Sequence, residues 1–254
     1  ITNQKGGVGK TTTAVNLSAL LGAMGQRVLM IDLDPQGNTT SGLGMEVDDK
    51  SIYEVIMGRM KLTDVMEETE FKNLSIAGSD VRLANAELEL VEVEKREYRL
   101  KTAVQSVQQD FDFIFIDCPP SLGLLTINAL GAADSVLIPI QCEYYALEGV
   151  ASLMNTISRV KKTINPHLEI EGVLLTMLDG RTNLGLQVVD EVKKHFKKQV
   201  YATVIPRSVR LGEAPSHGEP IHVYDKRSAG CVAYVNLAKE VLKRNNIKVK
   251  EFKL

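Results

Sequence analysis

The chain has 254 residues, of which 44% are apolar and 24% charged, a composition that allows a sizeable buried core and is typical of soluble globular proteins. No apolar run approaches the roughly 18–20 residues that a membrane span needs, and no signal peptide is visible. The net charge of −2 is unevenly distributed, because residues 181–254 carry 15 basic and 7 acidic side chains and the remainder carries 15 and 25. A basic C-terminal third suggests a polyanionic partner, although charge bias alone more often reflects a solvated surface.

Strand-like and helix-like segments alternate along the chain. A glycine-rich loop leads into a predicted helix at residues 10–24, which Gly25 can end, and the apolar run at residues 27–31 predicts a strand. Because the chain begins at Ile1 rather than Met, we expect a few preceding residues to complete the first strand. The further predictions are a long amphipathic stretch at 81–109, strands at 113–116, 135–140, 173–178 and 203–205, and helices at 147–163, 184–196 and 228–244.

Continuous apolar strands that alternate with helices predict an α/β fold, with a mostly parallel sheet flanked by helices on both faces. Pro139 lies inside one predicted strand and is expected to restrict its pairing. The sequence contains no linker, repeat or low-complexity tract. We therefore expect residues 1–254 to form a single domain.

The loop that precedes the first helix contains the sequence GGVGKT at residues 6–11. Glycines let backbone N–H groups turn inward around anionic oxygens, and the following helix N-terminus favours negative charge. Lys10 is expected to contact the β- and γ-phosphates of a nucleotide, and the Thr11 hydroxyl to ligate Mg²⁺. The common pattern places its first glycine where this chain has Gln4, followed by Lys5. Since Lys10 already serves the chain's own nucleotide, Lys5 is suited to act across a dimer interface.

Several motifs follow in an order that resembles a known family. KGGVGKTT at residues 5–12 is similar to the deviant Walker A phosphate loop of the ParA/MinD ATPase superfamily, and IDLDPQGN and FIDCPPSLG match its next two motifs. The runs QCEYYALEG, LLTMLDGRTNLG and VIPRSVRLGEAPSHGEPI resemble the chromosomal ParA, or Soj, group in particular. The resemblance extends over essentially the whole chain and implies a P-loop NTPase-like fold.

The resemblance implies a Mg²⁺-dependent ATPase in which two protomers enclose two ATP molecules. Lys5 would reach the partner's nucleotide, Asp34 would activate or position the attacking water, and Asp117 would hold Mg²⁺ together with Thr11. Asp32 is expected to face the opposite side of its strand and to have a structural role. The implied catalytic residues are Lys5, Lys10 and Asp34. The implied ATP contacts are Lys5, Gly6, Gly7, Val8, Gly9, Lys10, Thr11, Thr12, Pro206 and Ser208. Pro206 and Ser208 would lie beside the base, near Thr176 and Met177.

Members of this group bind double-stranded DNA without sequence preference, as ATP-dependent homodimers, and a ParB-like protein stimulates their hydrolysis. Such binding depends mainly on phosphate neutralisation. The resemblance therefore implies partition of a chromosome or plasmid, and a cytoplasmic, nucleoid-associated protein. Arg181 and Arg210 match DNA-contacting positions, Arg207 and Arg227 are their plausible neighbours, and the lysines at 193–198 fit a solvated helix face better.

Two other classes of protein are less consistent with the sequence. A membrane-positioning ATPase like MinD needs an amphipathic C-terminal helix, whereas the tail NNIKVKEFKL at residues 245–254 is short and its spacing is strand-like over residues 247–249. We therefore expect no stable membrane association. An iron–sulfur ATPase needs cluster-ligating cysteines, whereas Cys118, Cys142 and Cys231 are widely spaced and form no metal-binding pattern.

Overall fold

A computed structural model describes residues 1–144, 146, 148–181, 183–249 and 252. Tyr145 and Leu147 of the motif QCEYYALEG, and Thr182 of the motif LLTMLDGRTNLG, lie outside the described residues. In chain order the elements are α1 (Lys10–Ala23), β1 (Val28–Asp32), α2 (Asn38–Gly42), α3 (Ile52–Ile56), α4 (Leu62–Val65), β2 (Met66–Glu68), β3 (Leu74–Ala77), α5 (Leu83–Glu89), α6 (Arg99–Gln105), β4 (Phe113–Asp117), α7 (Leu124–Ala132), β5 (Ser135–Gln141), α8 (Glu148–Thr163), β6 (Glu169–Leu178), α9 (Asn183–Phe196), β7 (Val200–Pro206), α10 (Val209–Glu213), α11 (Ile221–Tyr224) and α12 (Ala229–Arg244).

The strands form two hydrogen-bonded groups, in the orders β2-β3-β1-β4 and β5-β6-β7. Every pairing is parallel except that between β2 and β3 at one edge. Residues at the start of the chain connect the two groups, because the Cys118 N–H donates to the Ile1 carbonyl at 3.2 Å and the Thr2 N–H donates to the Leu137 carbonyl at 3.2 Å. The prediction of a mostly parallel α/β sheet is confirmed.

The sheet is buried on both faces, as strand β1 shows. Val28 and Met30 pack in one apolar cluster with α1 and α12, whereas Leu29 and Ile31 pack in a second cluster with helices from the 52–132 region. Side chains alternate between the two sides of a strand, so a strand apolar at every position must be covered twice. The predicted placement of helices on both faces is thus confirmed.

Pro139 restricts β5 on one side only, because β5 pairs with β6 throughout and is an edge strand of its hydrogen-bonded group. The strand continues through it, with Pro139 opposite Leu174. Alternate residues direct their peptide groups to the same side, and Leu137 and Pro139 both turn theirs toward residues 1–3. The Pro139 carbonyl accepts a hydrogen bond from Asn3 Nδ2 at 2.7 Å, so the missing N–H lies on the side facing residues 1–3 and the ladder with β6 loses no hydrogen bond.

Sequence patterns missed some of the short elements. Strands β2 and β3 were not predicted, because a four-residue strand such as LSIA is too short to give a periodic signal. The stretch 81–109 is not one helix, since Val93 is extended and Lys95 has a φ of 53°, and both conformations end a helix. Six of its apolar side chains are buried in one cluster, whereas Val81, Leu88 and Val91 are exposed.

The part of the C-terminal tail that the structure describes packs on the protein. Ile247, Val249 and Phe252 lie against the same apolar cluster as α12. Residues 250, 251, 253 and 254, which belong to the predicted alternating tail, lie outside the described residues. Among the described residues, no helix combines the length and apolarity that crossing a bilayer requires.

Two side chains of α12 bind the polar groups of edge strand β7. The Glu240 carboxylate accepts hydrogen bonds from the N–H groups of Ala202 at 2.8 Å and Thr203 at 3.0 Å. Arg244 donates to the Val200 carbonyl at 3.0 Å and pairs with Glu240 at 3.1 Å. Unpaired edge groups favour association with other strands, so this pair both anchors α12 and blocks the edge.

Replacing Glu240 by Ala should lower the free energy of unfolding by about 1.5–3 kcal/mol, the range for hydrogen bonds to a charged group. Burial opposes ionisation of Glu240, but the bonds from Ala202, Thr203 and Arg244 outweigh it and lower its pKa. The stabilisation is therefore present above about pH 4.3 and is lost as the pH falls through the lowered pKa. Urea titrations at pH 7 and pH 3 measure both effects, and Lys239→Ala is the control. An unchanged midpoint at pH 7 would contradict the assignment.

Candidate functional site

The glycine-rich loop between residue 5 and α1 is shaped to surround an anion. Gly7 and Gly9 have φ angles of 72° and 88°, in the region that disfavours side chains. Open space lies beside Gly6 and Gly7, since an added Cβ would meet nothing within 4 Å. Helix α1 starts without a capping side chain or an acidic residue in its first turn. Its first N–H groups therefore remain available to a negatively charged group.

Lys10 lies at the start of α1 and reaches back over the loop. Its Nζ donates a hydrogen bond to the Lys5 carbonyl at 3.3 Å, and the residue is only 7% exposed. Burial lowers the pKa of Lys10, while the nearby carboxylates of Asp117 and Asp34 oppose this shift. The structure thus brings the loop residues 5–12 together with both aspartates, as the motifs predicted.

The Asp117 carboxylate at the end of β4 is fully buried. Its Oδ2 accepts hydrogen bonds from Thr11 Oγ1 at 2.8 Å and from Thr39 Oγ1 at 2.7 Å. Its Oδ1 is buried without any hydrogen-bond partner among the described residues. Burial raises the pKa of Asp117, although the bonds from Thr39 and Thr11 oppose the shift.

These atoms fit a hydrated divalent cation. A carboxylate and a hydroxyl are the hard oxygen ligands that Mg²⁺ accepts, and a water in the shell of the ion would supply the bond that Oδ1 of Asp117 lacks. The described residues contain no group of three or more His, Cys, Asp or Glu side chains able to hold a metal. A cation held by Thr11 and Asp117 would therefore depend on water and phosphate oxygens for its other ligands.

Asp32 does not face away from this site, so the expected orientation is wrong. It is the direct partner of Asp117 across β1 and β4, and paired residues project on the same side. Its Oδ1 accepts the Asp34 N–H at 3.2 Å, and its Oδ2 accepts the N–H and the hydroxyl of Thr40 at 2.9 and 2.7 Å. Side-chain alternation in fact places residues 32 and 34 on the same side of an extended chain, so it gave no support to the expected orientation. Burial and the Asp117 carboxylate raise the pKa of Asp32 to about 7.

Asp34 lies in the loop after β1 and is 7% exposed. Its carboxylate accepts the Gln36 N–H at 3.0 Å, and its carbonyl accepts the Gly37 N–H at 3.0 Å. The loop is therefore a tight turn held on both sides, with Asp34 close enough to Lys10 to affect its pKa.

The Lys5 ammonium group belongs to a small cluster of charged side chains. Its Nζ lies 3.7 Å from Glu143 Oε2, and Arg207 contacts the other oxygen of the same carboxylate at 3.5 Å. The Lys5 N–H donates to Asn3 Oδ1 at 3.0 Å. The predicted lysine therefore belongs to a partly exposed cluster beside the loop, and the sequence did not identify Glu143 as its partner.

The C-terminal end of β6 lies against the phosphate loop. The Thr176 hydroxyl donates to the Val8 carbonyl at 2.8 Å, and an added Cβ on Gly9 would meet the side chains of Thr176 and Met177. Met177 has a φ of 52°, a strained conformation for a side chain of this kind and one that occurs preferentially at functional sites.

Pro206 and Ser208 lie beside this segment, at the end of β7 and the start of α10. The intervening Arg207 N–H donates to the Leu178 carbonyl at 3.1 Å, which joins the two strand ends. Ser208 precedes α10, but its hydroxyl makes no capping hydrogen bond. Both residues thus occupy the edge of the sheet that carries the phosphate loop, as expected for a base-binding region.

The four candidate arginines are exposed and fall into two groups. Arg181 pairs with Asp179 at 2.6 Å, and Asp179 also feels the charge of Arg207. Arg210 pairs with Glu213 at 2.9 Å and with Asp225 at 3.5 Å. The backbone N–H of Arg227 donates to the same Asp225 at 3.1 Å. Exposed ion pairs contribute little to stability, so these arginines can exchange partners readily.

The three cysteines are buried thiols. Burial raises the pKa of each to about 11, so none is prepared to act as a thiolate ligand. The sequence did not identify Thr39 and Thr40, which contact the site only through tertiary hydrogen bonds. Their proximity in sequence to Asp34 was the available signal, but hydroxyl residues are too common in loops for it to be specific. Thr176 was expected beside the base, and its hydrogen bond to the phosphate loop was not predicted.

The geometry agrees with comparisons to known proteins. A family model described as an AAA domain matches residues 1–170. The Bacillus subtilis sporulation initiation inhibitor protein Soj is 60% identical over 243 residues, which cover 95% of this chain and 96% of that protein. The Myxococcus xanthus chromosome partitioning protein ParA is 52% identical over 250 residues, which cover 98% of this chain and 88% of that protein.

A solved structure of similar fold contains a nucleotide. The Mycobacterium smegmatis cobyrinic acid a,c-diamide synthase with bound ATP analog and magnesium superposes with a TM-score of 0.84 at 37% identity, covering 99% of this chain and 97% of that one. Because the sequence identities extend over nearly the full length, this chain belongs to the ParA/Soj family of chromosome-partitioning ATPases.

Proposed function

We propose that this chain is an ATP-dependent switch that dimerises around two Mg²⁺-bound ATP molecules, binds DNA without sequence preference, and partitions a chromosome or plasmid with a ParB-like partner. The observation that carries the proposal is the convergence of the phosphate loop, Lys10, Thr11, Asp34 and Asp117 at one edge of the sheet. We also infer that residues 1–254 form a single ATPase domain, since residues 1–3 hydrogen-bond to both strand groups.

The nucleotide site is assigned from the phosphate loop. The N–H groups of residues 6–12 and the Lys10 ammonium would bind the phosphates, and Thr11 and Asp117 would hold Mg²⁺. When bound, the cation neutralises charge that develops on the phosphoryl oxygens. Pro206 and Ser208, together with the Thr176–Met177 segment, would bound the base. The presence of an ATP analog and magnesium in the similar M. smegmatis structure supports ATP and Mg²⁺ as the ligands.

Asp34 would orient the attacking water. Phosphoryl transfer passes through a loose transition state, so a carboxylate that holds a water in line contributes more through position than through proton abstraction. The turn that holds Asp34 is fixed because the N–H groups of Gln36 and Gly37 donate to Asp34, and the Asp34 N–H donates to the Asp32 carboxylate. A fixed turn of this kind supports a positioning role.

Lys5 would act on the nucleotide of the partner protomer. Its ammonium group pairs with Glu143 beside the loop, while Lys10 covers the loop itself. A second cation supplied in trans would stabilise charge on the transferring group in the manner of an arginine finger. This arrangement would make hydrolysis depend on dimer formation.

DNA would bind at the exposed arginines Arg181, Arg207, Arg210 and Arg227. Their segments follow β6 and β7, at the same edge of the sheet as the nucleotide. Nucleotide-dependent dimerisation would place two such surfaces side by side and so double the number of phosphate contacts. A cytoplasmic, nucleoid-associated protein would follow, and the packed tail residues Ile247, Val249 and Phe252 favour this over a membrane anchor.

Replacing Asp34 by Ala should leave affinity for ATP nearly unchanged and lower its hydrolysis by about 10²–10⁴-fold, the range for a positioned acid–base group. The stalled protein should accumulate as a DNA-bound dimer. Phosphate release and binding of a fluorescent ATP analogue measure the two effects. Asp110→Ala, an exposed aspartate before β4, is the control, whereas Lys10→Ala should lose nucleotide binding. If Asp34→Ala stays monomeric with ATP, the role of Asp34 is wrong.

Replacing Arg210 by Glu should abolish ATP-dependent binding to duplex DNA without affecting ATP binding, because a phosphate contact becomes repulsive. Fluorescence anisotropy at two salt concentrations measures DNA binding, which should weaken as salt rises. Arg27→Glu is a matched control, since Arg27 also sits in an ion pair, is 57% exposed against 55% for Arg210, and precedes β1 at the opposite edge of the sheet. The DNA proposal would be refuted if the wild-type affinity for duplex DNA did not depend on ATP or did not weaken as the salt concentration rises.

A further inference from the structure

The two oxygens of the Asp117 carboxylate are bonded unequally. Both hydroxyl donors, Thr11 and Thr39, point to Oδ2, at 2.8 and 2.7 Å. The other oxygen, Oδ1, is buried and has no hydrogen-bond partner among the described residues. Two donors on one oxygen fix the plane of the carboxylate, and they leave the second oxygen as an acceptor for a further donor.

Thr39 alone among these donors comes from outside the phosphate loop. It lies in α2, and it is fully buried, so it has no water to replace Asp117 as its partner. Leaving a buried acceptor or donor unpaired is costly. The Thr39 hydroxyl therefore has a defined position, and so does the carboxylate it touches.

The next residue connects the same helix to Asp34. Thr40 donates its N–H and its hydroxyl to Asp32 Oδ2, while Asp32 Oδ1 accepts the Asp34 N–H at 3.2 Å. The Thr40 hydroxyl also accepts the Ser79 N–H at 3.0 Å, which fixes it to the end of β3. A continuous set of buried hydrogen bonds thus runs from Asp117 through α2 to Asp34.

We propose that Thr39 is a positioning residue that, with Thr11, presents the free oxygen of Asp117 to the hydrated cation, and that Thr40 ties this arrangement to Asp34. The proposal rests on the proposed function, because it assigns supporting residues to the same nucleotide site. Thr39 acts on metal-dependent binding through Asp117. Thr40 acts on turnover through Asp32 and Asp34.

The test of Thr39 compares Thr39→Val, which removes the hydroxyl at nearly constant size, with Thr39→Ser, which keeps it. The measurement is the ratio of affinities for a non-hydrolysable fluorescent ATP analogue with Mg²⁺ and with EDTA. This ratio should fall about tenfold in Thr39→Val, as expected for loss of a bond to a charged group, and return toward wild type in Thr39→Ser. Thr13→Val is the matched control, since Thr13 is equally buried but bonds to Tyr234.

Thr40→Val should produce the complementary result. The Mg²⁺ dependence of binding should stay within about twofold of wild type, while kcat for ATP hydrolysis should fall by about tenfold or more with little change in KM. A residue needed only for folding would instead alter both measurements together. Thermal unfolding without nucleotide checks that the variants are folded. If Thr39→Val does not fold, Thr39→Cys, with its weak S–H donor, takes its place against Thr39→Ser.

The inference is overturned if Thr39→Val, or Thr39→Cys in its place, keeps the wild-type Mg²⁺ ratio, or if Thr13→Val loses as much. It is also overturned if Thr40→Val has the wild-type kcat. The proposed function fails separately, and the inference with it, if the wild-type protein itself gains no affinity for the analogue from Mg²⁺.

Discussion

Two buried carboxylates stand side by side at the carboxyl edge of the sheet, and the site depends on how their charge is balanced. Asp32 and Asp117 are direct partners across β1 and β4, and both are fully buried. Such a pair disfavours ionisation, and burial raises the pKa of both residues. Hydroxyl and backbone donors offset part of this cost, and the Lys10 ammonium adds a positive charge. A hydrated cation would complete the balance, which explains why nucleotide and Mg²⁺ would bind together.

The same constraint organises the surrounding loops. Helix α2 exists as a single short turn whose Thr39 and Thr40 each satisfy one carboxylate. The Asp34 turn is joined to Asp32, and the phosphate loop is joined to β6 through Thr176. Under the proposed function, a change at the nucleotide would be transmitted to segments that end at the edge bearing the exposed arginines. This is the arrangement expected of a switch whose two states differ in nucleotide occupancy.

The parts that the sequence predicts are those encoded locally. The phosphate loop, α1 and Asp117 follow from spacing within a few residues, and apolar runs gave β1, β4 and β5 within one or two residues of their observed ends. Features that depend on distant contacts were missed or wrong. The pairing of Lys5 with Glu143, the bond from Thr39 to Asp117 and the orientation of Asp32 require the fold, and the pairing through Pro139 depends on which side its peptide group faces.

The central claim is that each nucleotide site is completed by Lys5 of the other protomer, and mixing two inactive variants tests it directly. Lys5→Ala and Asp34→Ala should each hydrolyse ATP slowly alone. A mixed dimer contains one site with Asp34 in its own chain and Lys5 from its partner, so the mixture should turn over ATP faster than either variant. Phosphate release from equimolar mixtures measures this. No gain on mixing, or full activity of Lys5→Ala by itself, would contradict a two-protomer active site.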